Sequence, residues 1–172
     1  MRDDDFRNQV PDIASLIRAT NETTDETDMT EKLSTAGECY RNGCNCAEAV
    51  VHGLRDRLPF ALSDDAMRVA TCFGGGGVGE SGFCGAFTGA IMALSLFAGR
   101  TSPDGSREPA YGYSREFGAR FAAEFGANTC KALQVHTYAS PEQKQNCGRI
   151  VGRAGDMMAE FLAEKGLLPA AR

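Results

Sequence analysis

At 172 residues, with 42% apolar and 24% charged residues and a net charge of −5, the chain has the composition of one ordinary globular domain. The negative balance, the absence of Trp and the lack of a basic cluster interleaved with aromatics exclude nucleic acid as a partner held by long-range attraction, and equally an anionic membrane surface.

Residues 1–31 hold nine acidic and three basic side chains. The polar, aperiodic run Thr20–Thr30 predicts a partly flexible acidic extension over 1–30, with one short helix near Asp12–Ala19. Met1–Phe6 has neither the basic start nor the apolar run of a secretory signal. A helical, cysteine-rich domain is expected over 31–172. Its first clear helix carries Cys46, Ala47, Val50, Val51, Leu54 and Leu58 at spacings of three and four until Pro59, with Asn45 and Glu48 placed as a capping box. Ser63 is placed to cap a second helix bearing Ala66, Val69, Ala70 and Phe73.

The glycine turn Gly74–Gly82 then leads into the uncharged segment Phe83–Gly99. This segment is too short, and too interrupted by Gly85, Thr88, Gly89 and Ser95, to span a bilayer. It predicts a central helix over 83–98, apolar on every side and therefore surrounded, with Gly85, Ala86, Gly89, Ala90 and Ala93 allowing close approach. Pro103-Asp104-Gly105 reads as a turn. A helix beginning near Pro109 carries the aromatic stripe Tyr113, Phe117, Phe121 and Phe125, expected to be core, and a short helix follows near Cys130. Ser140-Pro141 opens the last helix, whose apolar face is Cys147, Ile150, Val151, Ala154, Met158, Phe161 and Leu162. With no alternating strand pattern and no repeat, the fold class is all-α: a single domain of five or six helices around the central one.

The chemistry points to sulfur. Seven cysteines, an odd number without a signal segment, fit the reducing cytoplasm better than a secreted disulfide framework, and suggest metal, cluster or catalytic thiol. Cys46 and Cys84 fall at helix starts, where unpaired N–H groups and the helix dipole favour a thiolate. Both are candidate catalytic thiols, against the alternative that they are small buried hydrophobes. The glycine turn offers the backbone N–H groups of Gly75, Gly76 and Gly77 to an anion, either cluster or thiolate sulfur or a phosphate, unless it is only a tight turn. Gly77-x-Gly79-x-x-Gly82 fits a nucleotide-binding spacing but follows a helix rather than a strand. Cys130 and Cys147 lack CxxC pairing, so a shared site exists only if distant helices converge. His136 and Glu80 are weaker candidates for a ligand or proton donor, and His52 is expected to be exposed.

The segments Asn45-Cys46-Ala47-Glu48-Ala49-Val50, Phe73-Gly74-Gly75-Gly76 and Cys84-Gly85-Ala86-x-x-Gly89, with Cys130 and Cys147 downstream, resemble the C-GCAxxG-C-C family over about Glu31–Phe161. The resemblance implies a small redox-active protein whose four cysteines fall on Cys46, Cys84, Cys130 and Cys147. Cys39, Cys44 and Cys72 depart from that pattern and leave several choices of four. Three readings follow. The first is a metal or iron–sulfur site held by Cys46, Cys84, Cys130 and Cys147 for electron transfer, with a redox partner protein. The second is metal-free thiol–disulfide exchange, with Cys84 attacking and another cysteine resolving. The third is a structural zinc or assembly module. The sequence leaves self-association open.

Overall fold

Helical periodicity carries through into the backbone. A computed structural model describes residues 35–55, 62–77 and 82–168. The expected helix at Asp12–Ala19, the acidic extension over 1–30, the stop at Pro59 and the candidate Glu80 lie outside the described residues.

Among the described residues six α-helices follow in order: α1 (Thr35–Arg41), α2 (Cys46–Arg55), α3 (Asp64–Val69), α4 (Gly85–Ala98), α5 (Glu108–Phe125) and α6 (Pro141–Glu164). Two 3-10 turns, Thr71–Gly76 and Lys131–Leu133, punctuate them. Among the described residues there is no strand, only an isolated antiparallel bridge between Phe83 and Thr129. The domain is all-α, and among the described residues no helix is long and apolar enough to cross a membrane.

The local signals act as the sequence predicts at three helix starts. At α2 the Asn45 N–H donates to Glu48 Oε2 at 2.8 Å, while the Glu48 N–H donates to Asn45 Oδ1 at 3.0 Å, closing the capping box. Pro109 lies in the first turn of α5, which ends at Gly126 with φ 82°. Ser140 Oγ accepts from the Gln143 N–H at 3.2 Å and Pro141 begins α6.

α4 departs from expectation. It starts at Gly85, with Cys84 as its N-cap, and buries Gly85, Ala86, Gly89, Ala90, Ala93 and Leu94 while Ser95 is exposed and Phe87, Ile91 and Met92 are half-buried. It is buried on one face rather than all round, because α2, α5 and α6 pack against it and leave a side uncovered. The small residues do allow close approach: a Cβ on Gly89 would stand 2.6 Å from the Ala47 carbonyl oxygen of α2. Gly53 in α2 meets Ala36 of α1 just as tightly, at 2.7 Å from its Cβ. The second predicted helix is shorter than expected. Val69 and Phe73 are exposed, 60% and 42%, while Ala70 is buried, because the chain leaves α3 for the 3-10 turn that feeds the glycines.

The aromatic stripe is core as expected at Phe117 and Phe121, which are 1% and 0% exposed. Phe87 of α4 lies 5.3 Å from the Phe121 ring, and Phe161 of α6 lies 5.7 Å from Phe117. Burial of each such ring stabilises the fold by roughly 1.5–3 kcal/mol relative to exposure, and tilted contacts add to it.

Candidate functional site

Three local devices bring separate stretches of chain to one place. The first is the α2 capping box, which extends outward: Glu48 Oε1 accepts from Thr71 Oγ1 at 2.7 Å and Asn45 Nδ2 donates to the Thr71 carbonyl at 2.9 Å. Two side chains that start a helix therefore also fasten the glycine turn beside Cys46. The second is the bridge before α4. The Cys84 N–H donates to the Asn128 carbonyl at 2.8 Å and the Cys130 N–H to the Gly82 carbonyl at 2.9 Å. Cys84 and Cys130, far apart in sequence, are thereby tied through their backbones. The third is Gln143, 2% exposed in the first turns of α6. Its Oε1 accepts from Val135 N–H at 3.1 Å and His136 N–H at 3.0 Å, and its Nε2 donates to Cys147 Sγ at 3.3 Å.

The result is a cavity of about 900 Å³ lined by Cys44, Cys46, Cys84, Cys130 and Cys147 together with Tyr40, Gly75, Gln134, Tyr138 and Gln143. All four cysteines expected to share a site line it. Among the described residues no three Cys, His, Asp or Glu side chains already lie close enough together to hold a metal ion. Two of the sulfurs have amide partners. Gln143 holds Cys147, and Gln134 Nε2 donates to Cys130 Sγ at 3.6 Å.

The glycines divide. Gly75, with φ 60°, lines the cavity. Gly76, with φ 78°, is buried under Cys130, where a Cβ would fall 2.8 Å from the Cys130 Cβ. Gly77 is exposed, and its N–H donates to the Gly74 carbonyl at 3.1 Å. Cys39 and Cys72 do not line the cavity. His136 is exposed and enters only through its backbone, and His52 is half-buried rather than exposed.

Electrostatics reverse the expected order of the thiols. Burial pushes the Cys84 thiol up to about 11. The amides of Ala86 and Phe87 act against that rise, but burial outweighs them, so the helix start does not deliver the low pKa expected of it. Cys46 is also raised, by its hydrogen bonding with Cys147 and by burial, with the Gly75 N–H acting the other way. Cys147 is the thiol that is lowered, through Cys46 and then Gln143 and Tyr40, against the cost of burial. One proton held between two neighbouring sulfurs thus stays on Cys46, and the half-buried Cys147 is the one that ionises. Tyr40 is raised by burial and by the two cysteines it faces, and stays a neutral donor to them.

Tyr40, Gln134 and Gln143 are site residues that the sequence reading missed. A signal exists for Gln143: it lies four residues before Cys147 on one helix, the spacing at which side chains meet. Gln134 lies four residues after Cys130 across the Lys131–Leu133 turn, whereas Tyr40 reaches its sulfurs only through the tertiary fold.

No solved structure matches the chain. A protein of Archaeoglobus fulgidus, described as "Uncharacterized protein", is 28% identical over 130 residues, covering 70% of this chain and 86% of its own. The family described as "Putative redox-active protein (C_GCAxxG_C_C)" matches residues 44–161, which include Cys46, Cys84, Cys130 and Cys147. The chain belongs to the C_GCAxxG_C_C family of redox-active proteins.

Proposed function

We propose that this redox protein transfers electrons through an iron–sulfur or related thiolate-bound metal site held by Cys46, Cys84, Cys130 and Cys147. The observation that carries the reading is the shared cavity, to which four soft donors come from α2, the N-cap of α4, the loop after α5 and α6. The donor set fits such a group. Thiolates are its usual ligands, and N–H groups directed at sulfur tune its potential. Gly75, Gln134 and Gln143 supply such donors to Cys46, Cys130 and Cys147. Once bound, the group would supply one-electron transfer. The chain's own part is to hold the ligands, exclude bulk water and keep thiolate charge on the cavity wall. Cytoplasmic location and a redox partner protein docking at the cavity mouth belong to the same proposal, because free thiols persist where the surroundings are reducing.

The test is protein purified without oxygen and analysed for iron and acid-labile sulfide. Both are expected in stoichiometric amounts in the wild type and lost in Cys84→Ser. Iron-free protein after reconstitution with iron and sulfide would refute the reading.

A second reading has its own support. Cys46 and Cys147 interact directly, and one of them is held low. That is the arrangement of a thiolate beside its resolving thiol. It differs from the expected dithiol form in making Cys147, not Cys84, the attacking sulfur. Iron-free protein in which Cys147 alkylates much faster than the other cysteines at neutral pH would favour it.

A further inference from the structure

Outside these four ligands the molecule holds another pair of sulfurs in contact. Cys44 Sγ donates to Cys39 Sγ at 3.1 Å. The cause is local. The Cys44 N–H donates to the Cys39 carbonyl at 3.1 Å and the Gly43 N–H to the Tyr40 carbonyl at 3.2 Å. These are the nested bonds of a Schellman helix end, closed by Gly43 at φ +107°. That motif brings the side chain three residues before the helix end against the one just beyond the glycine, a contact usually apolar. In Cys39-Tyr40-Arg41-Asn42-Gly43-Cys44 both positions are cysteine. Both thiols are half-buried, and Cys44 also lines the cavity. Cys39 lies outside the family's matched residues 44–161.

We infer that Cys39 and Cys44 form a second redox site, a dithiol that closes reversibly to a disulfide by exchange with a small linear disulfide, R–S–S–R. Cys44 donates its S–H, which leaves Cys39 as the accepting and attacking sulfur. Deprotonated Cys39 bonds to one sulfur of R–S–S–R and expels R–S⁻, which takes up the released proton. Deprotonated Cys44 then bonds to Cys39 Sγ and expels the second R–S⁻, which is protonated in turn. The protein dithiol is oxidised by two electrons, the small disulfide is reduced to two R–SH, and atoms and charge balance. No metal enters the exchange. The chemistry is separate from electron transfer at the four-cysteine site, although Tyr40 in the same turn faces Cys46 and Cys147.

The experiment treats the full chain, purified without oxygen, with oxidised glutathione. Free thiols are then alkylated and tryptic peptides are mapped by mass. Cleavage after Arg41 separates the two cysteines, so their disulfide appears as a cross-linked peptide pair that splits on reduction. The wild type is expected to give the Cys39–Cys44 cross-link before any other. Cys44→Ser should lose it and stop with glutathione on Cys39, and Gly43→Ala, strained at positive φ, should form it more slowly. Iron content should be unchanged in Cys39→Ser, which lies outside the cavity wall. The inference is overturned if the cross-link survives in Cys44→Ser, if other cysteines oxidise while Cys39 and Cys44 stay free, if Gly43→Ala closes as fast as wild type, or if Cys39→Ser loses iron. Absence of iron from the wild type would sink the cluster reading and leave this result standing.

Discussion

α6 joins two regions built on opposite plans. Its later turns, from Ile150 to Leu162, press into an aromatic core of the buried Phe117 and Phe121 and the half-buried Phe87. Its first turns carry Gln143 and Cys147 to the wall of a cavity of about 900 Å³ furnished with thiols, amides and phenols. One helix thus anchors a dense scaffold and presents a reactive sulfur. The contrast teaches a division of labour. Packing fixes the backbone, and fixed backbones let hydrogen bonds to sulfur be set from helix starts and loops, where N–H groups are free to donate.

The two regions should respond differently to substitution. The largest effect is expected from Phe121→Ala, which removes a fully buried ring and should cost about 3–5 kcal/mol in denaturant unfolding. A loss below 1 kcal/mol would mean that the core does not carry the scaffold. Gly89→Ala should be smaller, about 1–3 kcal/mol from overpacking, because its Cβ would strike the backbone of α2 at Ala47. Unchanged stability there would contradict the close approach of α2 and α4.

Gln143→Leu should loosen the loop it tethers, since the Val135 and His136 N–H groups lose their acceptor, and its main readout is on chemistry. In iron-free protein, labelling of Cys147 against pH should follow a midpoint below the ordinary thiol value of about 8.5, because its ionised form is favoured. Labelling therefore rises with pH through that midpoint, whereas Cys84 should need pH near 11. Removing Gln143 takes a donor from the thiolate, so the Cys147 midpoint should move up. A wild-type midpoint at or above the ordinary value would contradict the electrostatic order of the site.

Much of the fold was legible because periodicity and capping are local. Asn45 with Glu48, Ser140 with Pro141, and the Phe117–Phe121 stripe each act within a few residues, and each fell where its spacing predicted. The four cysteines were legible as a set through the family resemblance, and their common cavity follows from the bridge at Phe83–Thr129 and the reach of Glu48 to Thr71. Their acidities were not legible. A helix start argues for a low thiol pKa only while the sulfur meets N–H groups and water. Cys84 is 8% exposed, and burial outweighs the nearby amides. Cys147 sits well inside a helix, where no terminal dipole acts, and is lowered by Cys46 and Tyr40 arriving from other helices and by Gln143 one turn earlier on its own. The one-sided burial of α4 was likewise beyond composition, since an uncharged helix can rest half-buried when its neighbours cover only one face.

The central claim is that Cys46, Cys84, Cys130 and Cys147 act as one site. Mapping every cysteine by alkylation in anaerobically purified protein, before and after iron is removed with a chelator, tests it most directly. Each of these four should gain reactivity when iron leaves, Cys147 first at neutral pH and Cys84 only as pH approaches 11, while Cys39, Cys44 and Cys72 label equally in both states. A gain confined to other cysteines, or no gain at any, would contradict the account.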